Sequence, residues 1–298
     1  MIQEEYPLAA NANYEVRTYS DGYPLYELKD LGTNSSFVIC PERGGIVISC
    51  RLRGQELFYL DRDTFLNPQA NIRGGNPVLF PICGQLVNGQ YEWNGRTYRM
   101  NNHGVARTSP WEVLNTDTDD SASITLALQS NEETLAAFPF KFELRFTYRL
   151  KDGALSIEQQ YINKSQEDMP MVAGFHPYFA TESKNLNYRT DATRLLDYND
   201  KSEKAFDGYL QLEGMAESAA LLDAKKPEIV FPLSQDRNIR LSYSEQFRYV
   251  VLWTVEDKPF VCVEPWTALN EALNDKKGLL MVAPGETLNL ELNFALEG

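Results

Sequence analysis

The sequence predicts an all-β chain, arranged as a single large multi-sheet sandwich over residues 1–298. Three observations carry that expectation. Short runs alternating polar and apolar residues recur along the chain, the pattern of half-buried strands. Turn signals rich in glycine and asparagine separate them. Helical periodicity is scarce, and no internal repeat marks a propeller or solenoid. With 298 residues, 43% hydrophobic and 12% aromatic, the chain can bury a substantial core.

The elements follow in order. Residues 35–54 (SSFVICPERGGIVISCRLRG) read as strands about a glycine turn. Residues 84–100 (GQLVNGQYEWNGRTYRM) read as small antiparallel ribbons turning at Asn88-Gly89 and Asn94-Gly95. DTDDSAS, residues 117–123, offers three aspartates but lacks the glycine and terminal glutamate of an EF-hand loop, and reads as a solvated turn. ASITLALQS is the next strand. Phe140, Phe142, Leu144 and Phe146 then alternate with Lys141, Glu143 and Arg145, so one face carries aromatics for a second sheet and the other carries charge. Lys151-Asp152-Gly153 turns this strand into Leu155 to Ile162. EIVFPL, NIRLSYS, RYVVLWTV, PFVCVEPW and TLNLELNFAL supply further strands. Gly214 to Lys226 and Thr267 to Leu273 suggest brief helices. No Pro/Ser/Gly-rich linker divides the chain.

Charge narrows the partners. The 28 basic and 42 acidic residues give a net charge of −14, which disfavours a nonspecific grip on nucleic acid or an anionic membrane surface. The expected partner is a small molecule that is not strongly anionic, and the chain is expected to be a monomer or homodimer. No apolar run is long enough for a transmembrane helix, and the opening MIQEEYPLAANANYEV is acidic where a signal peptide is basic, so a cytoplasmic location is the default expectation. Cys40, Cys50, Cys83 and Cys262 are widely spaced in apolar or glycine-rich settings and read as buried free thiols. Two histidines exclude a His-rich zinc cluster; a mixed site with Cys or Glu lacks compact spacing, so no metal is expected.

Scarce ionisable residues in apolar and glycine-rich surroundings mark where chemistry can sit. Arg73 opens RGGNPVLFPICG, where glycines permit close backbone approach and a guanidinium can fork to ligand oxygens; a tight turn with a surface arginine is the other reading. MNNHGVARTSPW brings His103 and Arg107 as donors suited to sugar hydroxyls, or forms a structural loop. His176 in GFHPYF can exchange a proton near neutrality, or serve structurally. Glu264 interrupts the apolar run FVCVEPW, either as a base beside Trp266 or as a salt-bridged structural carboxylate. No GxSxG elbow, GxGxxG fingerprint or second well-placed carboxylate supports a serine hydrolase, a dinucleotide enzyme or a glycosidase.

Arg73 in RGGNPVLFP, Asn88-Gly89, His103 and Arg107 in NNHGVAR, His176 in GFHPYF and Glu264 in CVEPW form an ordered set from about residue 35 to about residue 293 that resembles the aldose 1-epimerase family, with its related hexose-6-phosphate mutarotases. The resemblance implies a β-supersandwich of large antiparallel sheets with an open sugar site. It implies Glu264 as general base for the anomeric hydroxyl, His176 as general acid for the ring oxygen, and His103 as a second histidine polarising that oxygen. Arg73, Arg107, Asn88 and Trp266 would bind substrate, with Asp207 in AFDGY standing for the family's sugar-binding aspartate. Trp266, Phe179 and Trp111 are candidate stacking surfaces. The implied substrate is a monosaccharide handled without a cofactor. A free hexose is preferred to a hexose 6-phosphate because no basic cluster beyond Arg73 and Arg107 is evident, unless Arg96 and Arg99 fold over the site. A sugar-binding protein without activity is the alternative of another class.

Overall fold

Period-two alternation becomes three large antiparallel sheets in the computed structural model, which describes residues 6–10, 12–234 and 236–297, with side chains from residue 12 onward. The first five residues, part of the opening read against a signal peptide, lie outside the described residues. Tyr6–Ala10, Tyr14–Ser20, Pro24–Asp30, Ser35–Cys40, Ile46–Leu52 and Gln55–Glu56 form a six-stranded meander. A seven-stranded sheet runs in the order Glu112–Asp117, Ala122–Gln129, Phe142–Lys151, Ala154–Asn163, Thr287–Glu297, Arg237–Tyr243, Glu228–Ser234. An eight-stranded sheet is centred on Ala219–Leu221, Tyr249–Trp253 and Phe260–Trp266.

The alternation sorts side chains as the sequence implies. Phe140, Phe142, Leu144 and Phe146 are at most 2% exposed and join Phe37, Ile157, Val261, Val263 and Phe294 in one core cluster drawing on all three sheets. Glu143, on the opposite face, is nevertheless buried; it is held by ion pairs with Arg145 and Lys164. Asp152 and Gly153 both take positive φ, making the tight turn between Phe142–Lys151 and Ala154–Asn163. Asp120 of the acidic turn pairs with Lys151. All four cysteines are free and buried. Among the described residues no helix is long and apolar enough to cross a membrane.

Three local expectations change. Gly214 to Lys226 is not a helix: Ala219–Leu221 is a buried strand paired on both sides, with Arg194–Asp197 and Tyr249–Trp253, and that pairing overrides the helical propensity of its alanines and leucines. Thr267 continues strand-like bonding to Ala173 through its N–H and its side-chain oxygen, which delays the short helix to Ala272–Asp275. The 84–100 segment forms one ribbon, Gln90–Trp93 with Arg96–Arg99, turning at Asn94-Gly95; Asn88-Gly89 is a turn leading into it.

Candidate active site

Strand register assembles the centre of the site. Phe260–Trp266 is buried throughout, with Val261 and Val263 in the inter-sheet core, so Cys262, Glu264 and Trp266 share the opposite face. Tyr249–Trp253 pairs alongside with Trp253 opposite Cys262 and Val251 opposite Glu264. On the other side Gly174 stands opposite Trp266 and Tyr178 opposite Cys262. His176 lies midway between those partners and falls beside Glu264, with Nε2 3.4 Å from Oε1. Its backbone N–H donates to Pro77 O. The absence of a side chain at Gly174 is required here, since a Cβ would lie 2.4 Å from Cys83 Sγ and 2.9 Å from the Trp266 ring.

Loops bring the remaining groups. Arg73 is pinned through its backbone: its N–H donates to Thr64 Oγ1 and its carbonyl accepts from Asp61 N–H. Gly74, at φ +139, packs where a Cβ would meet the Leu60 backbone at 2.5 Å. The exposed Arg73 guanidinium then lies over the Trp253 ring, 5.1 Å from its centroid. His103 has φ +66 and exchanges two hydrogen bonds with Gly84: its N–H donates to Gly84 O, and its Nδ1 accepts from Gly84 N–H at 3.0 Å. A neutral His103 therefore carries its proton on Nε2. The His103 and His176 rings meet edge to face at 5.2 Å, and His103 meets Trp266 at 5.9 Å.

Burial and charge act on these groups in a consistent direction. Glu264 is 1% exposed, and burial pushes its carboxyl well above the usual range, opposed by the Trp266 indole N–H and the Arg107 charge. The indole is near enough to act on the charge, yet neither its Nε1 nor Glu264 Oε2 completes a hydrogen bond. Burial, then His103 and Arg107, holds His176 well below its ordinary value, and its Nδ1 is also unpartnered. Burial with Arg107 and Arg73 lowers His103 to about 3. A base strengthened by burial thus faces an imidazole whose protonated form is a stronger acid, and polar atoms on both remain available to a ligand.

Arg73, His103, Arg107, His176, Glu264 and Trp266 are brought together by these contacts and charges. Six of the residues singled out in the sequence are not among them. Asn88 is exposed and lines a separate cavity with Asn101, Gly104 and Glu133. Asp207 is exposed and accepts from Tyr209 N–H, closing its own turn. Phe179 is fully buried in the core, and Trp111 packs on Phe146 with its indole N–H donating to Ala106 O, so neither ring is presented to the site. Arg96 and Arg99 are exposed on the ribbon, beside other cavities. The sequence reading missed Tyr178, stacked on His176 at 4.7 Å, and Trp253, edge to face with His176 at 5.8 Å. Period-two spacing from His176 within GFHPYF was the signal for Tyr178. Cys262 is the buried free thiol that the sequence implies, and it also stands two residues before Glu264 on the same face.

A sequence model of the family described as Aldose 1-epimerase matches residues 24–295. The crystal structure of the Slr1438 protein from Synechocystis sp. PCC 6803 is similar at a TM-score of 0.90 and 37% identity, covering 93% of this chain and 96% of that one. Chromosomal protein LacX of Lactococcus lactis subsp. lactis is 27% identical over 252 residues, 72% of this chain and 82% of LacX. A galactose mutarotase-like protein from Clostridium acetobutylicum shares the fold, with a TM-score of 0.80 at 17% identity over 97% of this chain and 100% of that one.

Proposed function

The chain belongs to the aldose 1-epimerase family and has its galactose mutarotase-like fold, and from that premise we propose that it interconverts the α and β anomers of a free hexose such as glucose or galactose. Family membership supports an isomerase-type activity on carbohydrate. The observation that carries the finer reading is the enclosed pair His176 and Glu264, 3.4 Å apart and otherwise short of hydrogen-bond partners.

Glu264 takes the proton from the anomeric O1 while His176 gives a proton to the ring oxygen O5. The C1–O5 bond breaks and O1 becomes the aldehyde oxygen. Rotation about C1–C2 presents the other face of the aldehyde, and the reversed transfers close the opposite anomer. Before opening, the pair is carboxylate and imidazolium; after opening, it is carboxylic acid and neutral imidazole. Both states hold the same number of protons, so the cycle needs no exchange with solvent. Burial favours the second, neutral state, which eases both transfers of the opening step, from O1 to Glu264 and from His176 to O5. Ring closure runs both transfers backwards, Glu264 returning a proton to O1 and His176 taking one from O5, and so restores the first state.

His103, neutral and fixed by Gly84, offers its Nε2–H to O5 as negative charge develops there. Arg73 and Arg107 supply donors for hydroxyls, and Trp266 with Trp253 offers ring surface to the C–H faces of a pyranose. The substrate carries its carbonyl in latent form, so the reaction needs no redox cofactor. The test is the decay of optical rotation after dissolving α-D-glucose or α-D-galactose with catalytic protein. Acceleration beyond the spontaneous rate supports the reading; sugar binding without acceleration makes this a binding protein.

A further inference from the structure

We propose that His176, Cys262 and Glu264 form a three-ligand zinc site whose occupation excludes the sugar. One ring nitrogen, Cys262 Sγ and one carboxylate oxygen all lie within 4.8 Å of one another. Tetrahedral zinc, with bonds of roughly 2.0–2.3 Å to N, O and S, sets its ligand atoms about 3.3–3.6 Å apart. The His176–Glu264 separation of 3.4 Å already matches. Bringing the thiol in from the 4.8 Å limit takes a shift of roughly 1 Å, within reach of a side-chain adjustment.

The site is built rather than incidental to a surface. The three residues are 7%, 0% and 1% exposed, in chain order, and His176 Nδ1 and Glu264 Oε2 have no hydrogen-bond partner. Cys262 and Glu264 sit at i and i+2 on one strand, so they project from the same face, and His176 meets them from the paired strands. The scattered sequence positions hid a compact set that strand pairing creates. Thiolate, imidazole and carboxylate together suit zinc rather than magnesium or calcium. The thiolate and the carboxylate cancel the dication's charge, so the nearby Arg73 and Arg107 are tolerated. Three protein ligands leave the fourth position to water. A cation held there ties up both proton-transfer groups, so metal and hexose compete for one place.

The zinc site goes beyond the anomer-exchange reading and is tested by binding. Zinc is titrated by calorimetry into chelator-stripped full-length protein, and cobalt is added in parallel as a spectroscopic stand-in. One zinc per chain is expected, displaced by a chelator, and the cobalt form should show a thiolate charge-transfer band. Cys262→Ser should weaken zinc by at least the roughly 100-fold that even outer partners can cost, while Cys83→Ser should leave it unchanged. Absence of stoichiometric binding, a cobalt spectrum without the thiolate band, or equal affinity in a folded Cys262→Ser variant overturns the site. If Cys262→Ser fails to fold, the wild-type cobalt spectrum decides. Zinc bound with that band by a protein that does not accelerate anomer exchange leaves the site standing and removes only the proposed reaction.

Discussion

Replacing Glu264 by glutamine keeps the side chain's size and removes its capacity to accept a proton. The carboxylate is 1% exposed, and among the described residues its one ion-pair partner is His176, so neither bulk water nor a neighbouring carboxylate is placed to take over as base. General-base catalysis contributes about 10²- to 10⁴-fold, or about 3 to 5 kcal/mol of barrier at 1.36 kcal/mol per decade. Burial already opposes the charge on Glu264, so a neutral amide should leave the melting temperature nearly unchanged. The assay is polarimetry on fresh α-D-galactose, with the spontaneous rate subtracted and folding checked by circular dichroism. Expected is a fall in kcat of about 100-fold or more with KM little altered. A folded Glu264→Gln variant with more than about a tenth of wild-type turnover refutes the assignment of Glu264 as base.

His176→Asn should lose the acid and reduce turnover by about 100-fold or more, and near-normal polarimetry in the folded variant would remove it from that role. Arg73→Ala should act mainly through binding, lowering kcat/KM by about tenfold or more in steady-state kinetics, and an unchanged kcat/KM contradicts contact with the sugar. Gly84→Ala should cost about 1–3 kcal/mol in urea unfolding, because a Cβ there lies 1.5 Å from Asn270 Oδ1 at φ +71; unchanged stability would mean the loop adapts freely. His103 titrates near 3 when folded and near its ordinary value when unfolded, so at pH 5 the unfolded chain binds a proton that the folded chain does not. Acidification from pH 7 to 5 therefore removes about 2 kcal/mol of stability through His103, and His103→Asn should make that loss smaller by the same amount. Equal losses in wild type and variant would mean that His103 is not held neutral.

Much of the fold was legible because a strand with one wet face advertises itself. Phe140 to Leu150 shows this, with rings and charges on alternate positions. FVCVEPW was legible as a strand but its two faces were not, since every residue of Phe260–Trp266 is buried and polarity gives no alternation to read. That is why Cys262 read only as a buried free thiol and why Trp253, an aromatic residue in an apolar run, carried no chemical signal. The catalytic candidates stood out because a charged or imidazole group in an apolar run is costly, and His176, Glu264 and His103 do sit together. Asp207 lacked such a context, and its carboxylate serves a local turn. The mistaken helix at 214–226 illustrates the complementary failure. Local composition favoured helix there, while a place inside the eight-stranded sheet claimed Ala219–Leu221 through backbone bonds on both sides.

The most direct measurement is NMR exchange between α and β anomeric signals at equilibrium, in a single mixture of glucose, galactose and glucose 6-phosphate, with wild-type protein and with Glu264→Gln. The expected result is faster exchange for at least one free hexose than for the phosphate, present with wild type and lost with the variant. Exchange confined to glucose 6-phosphate contradicts the free-hexose substrate. Unaccelerated exchange for all three sugars, with folded protein, contradicts the proposed reaction itself.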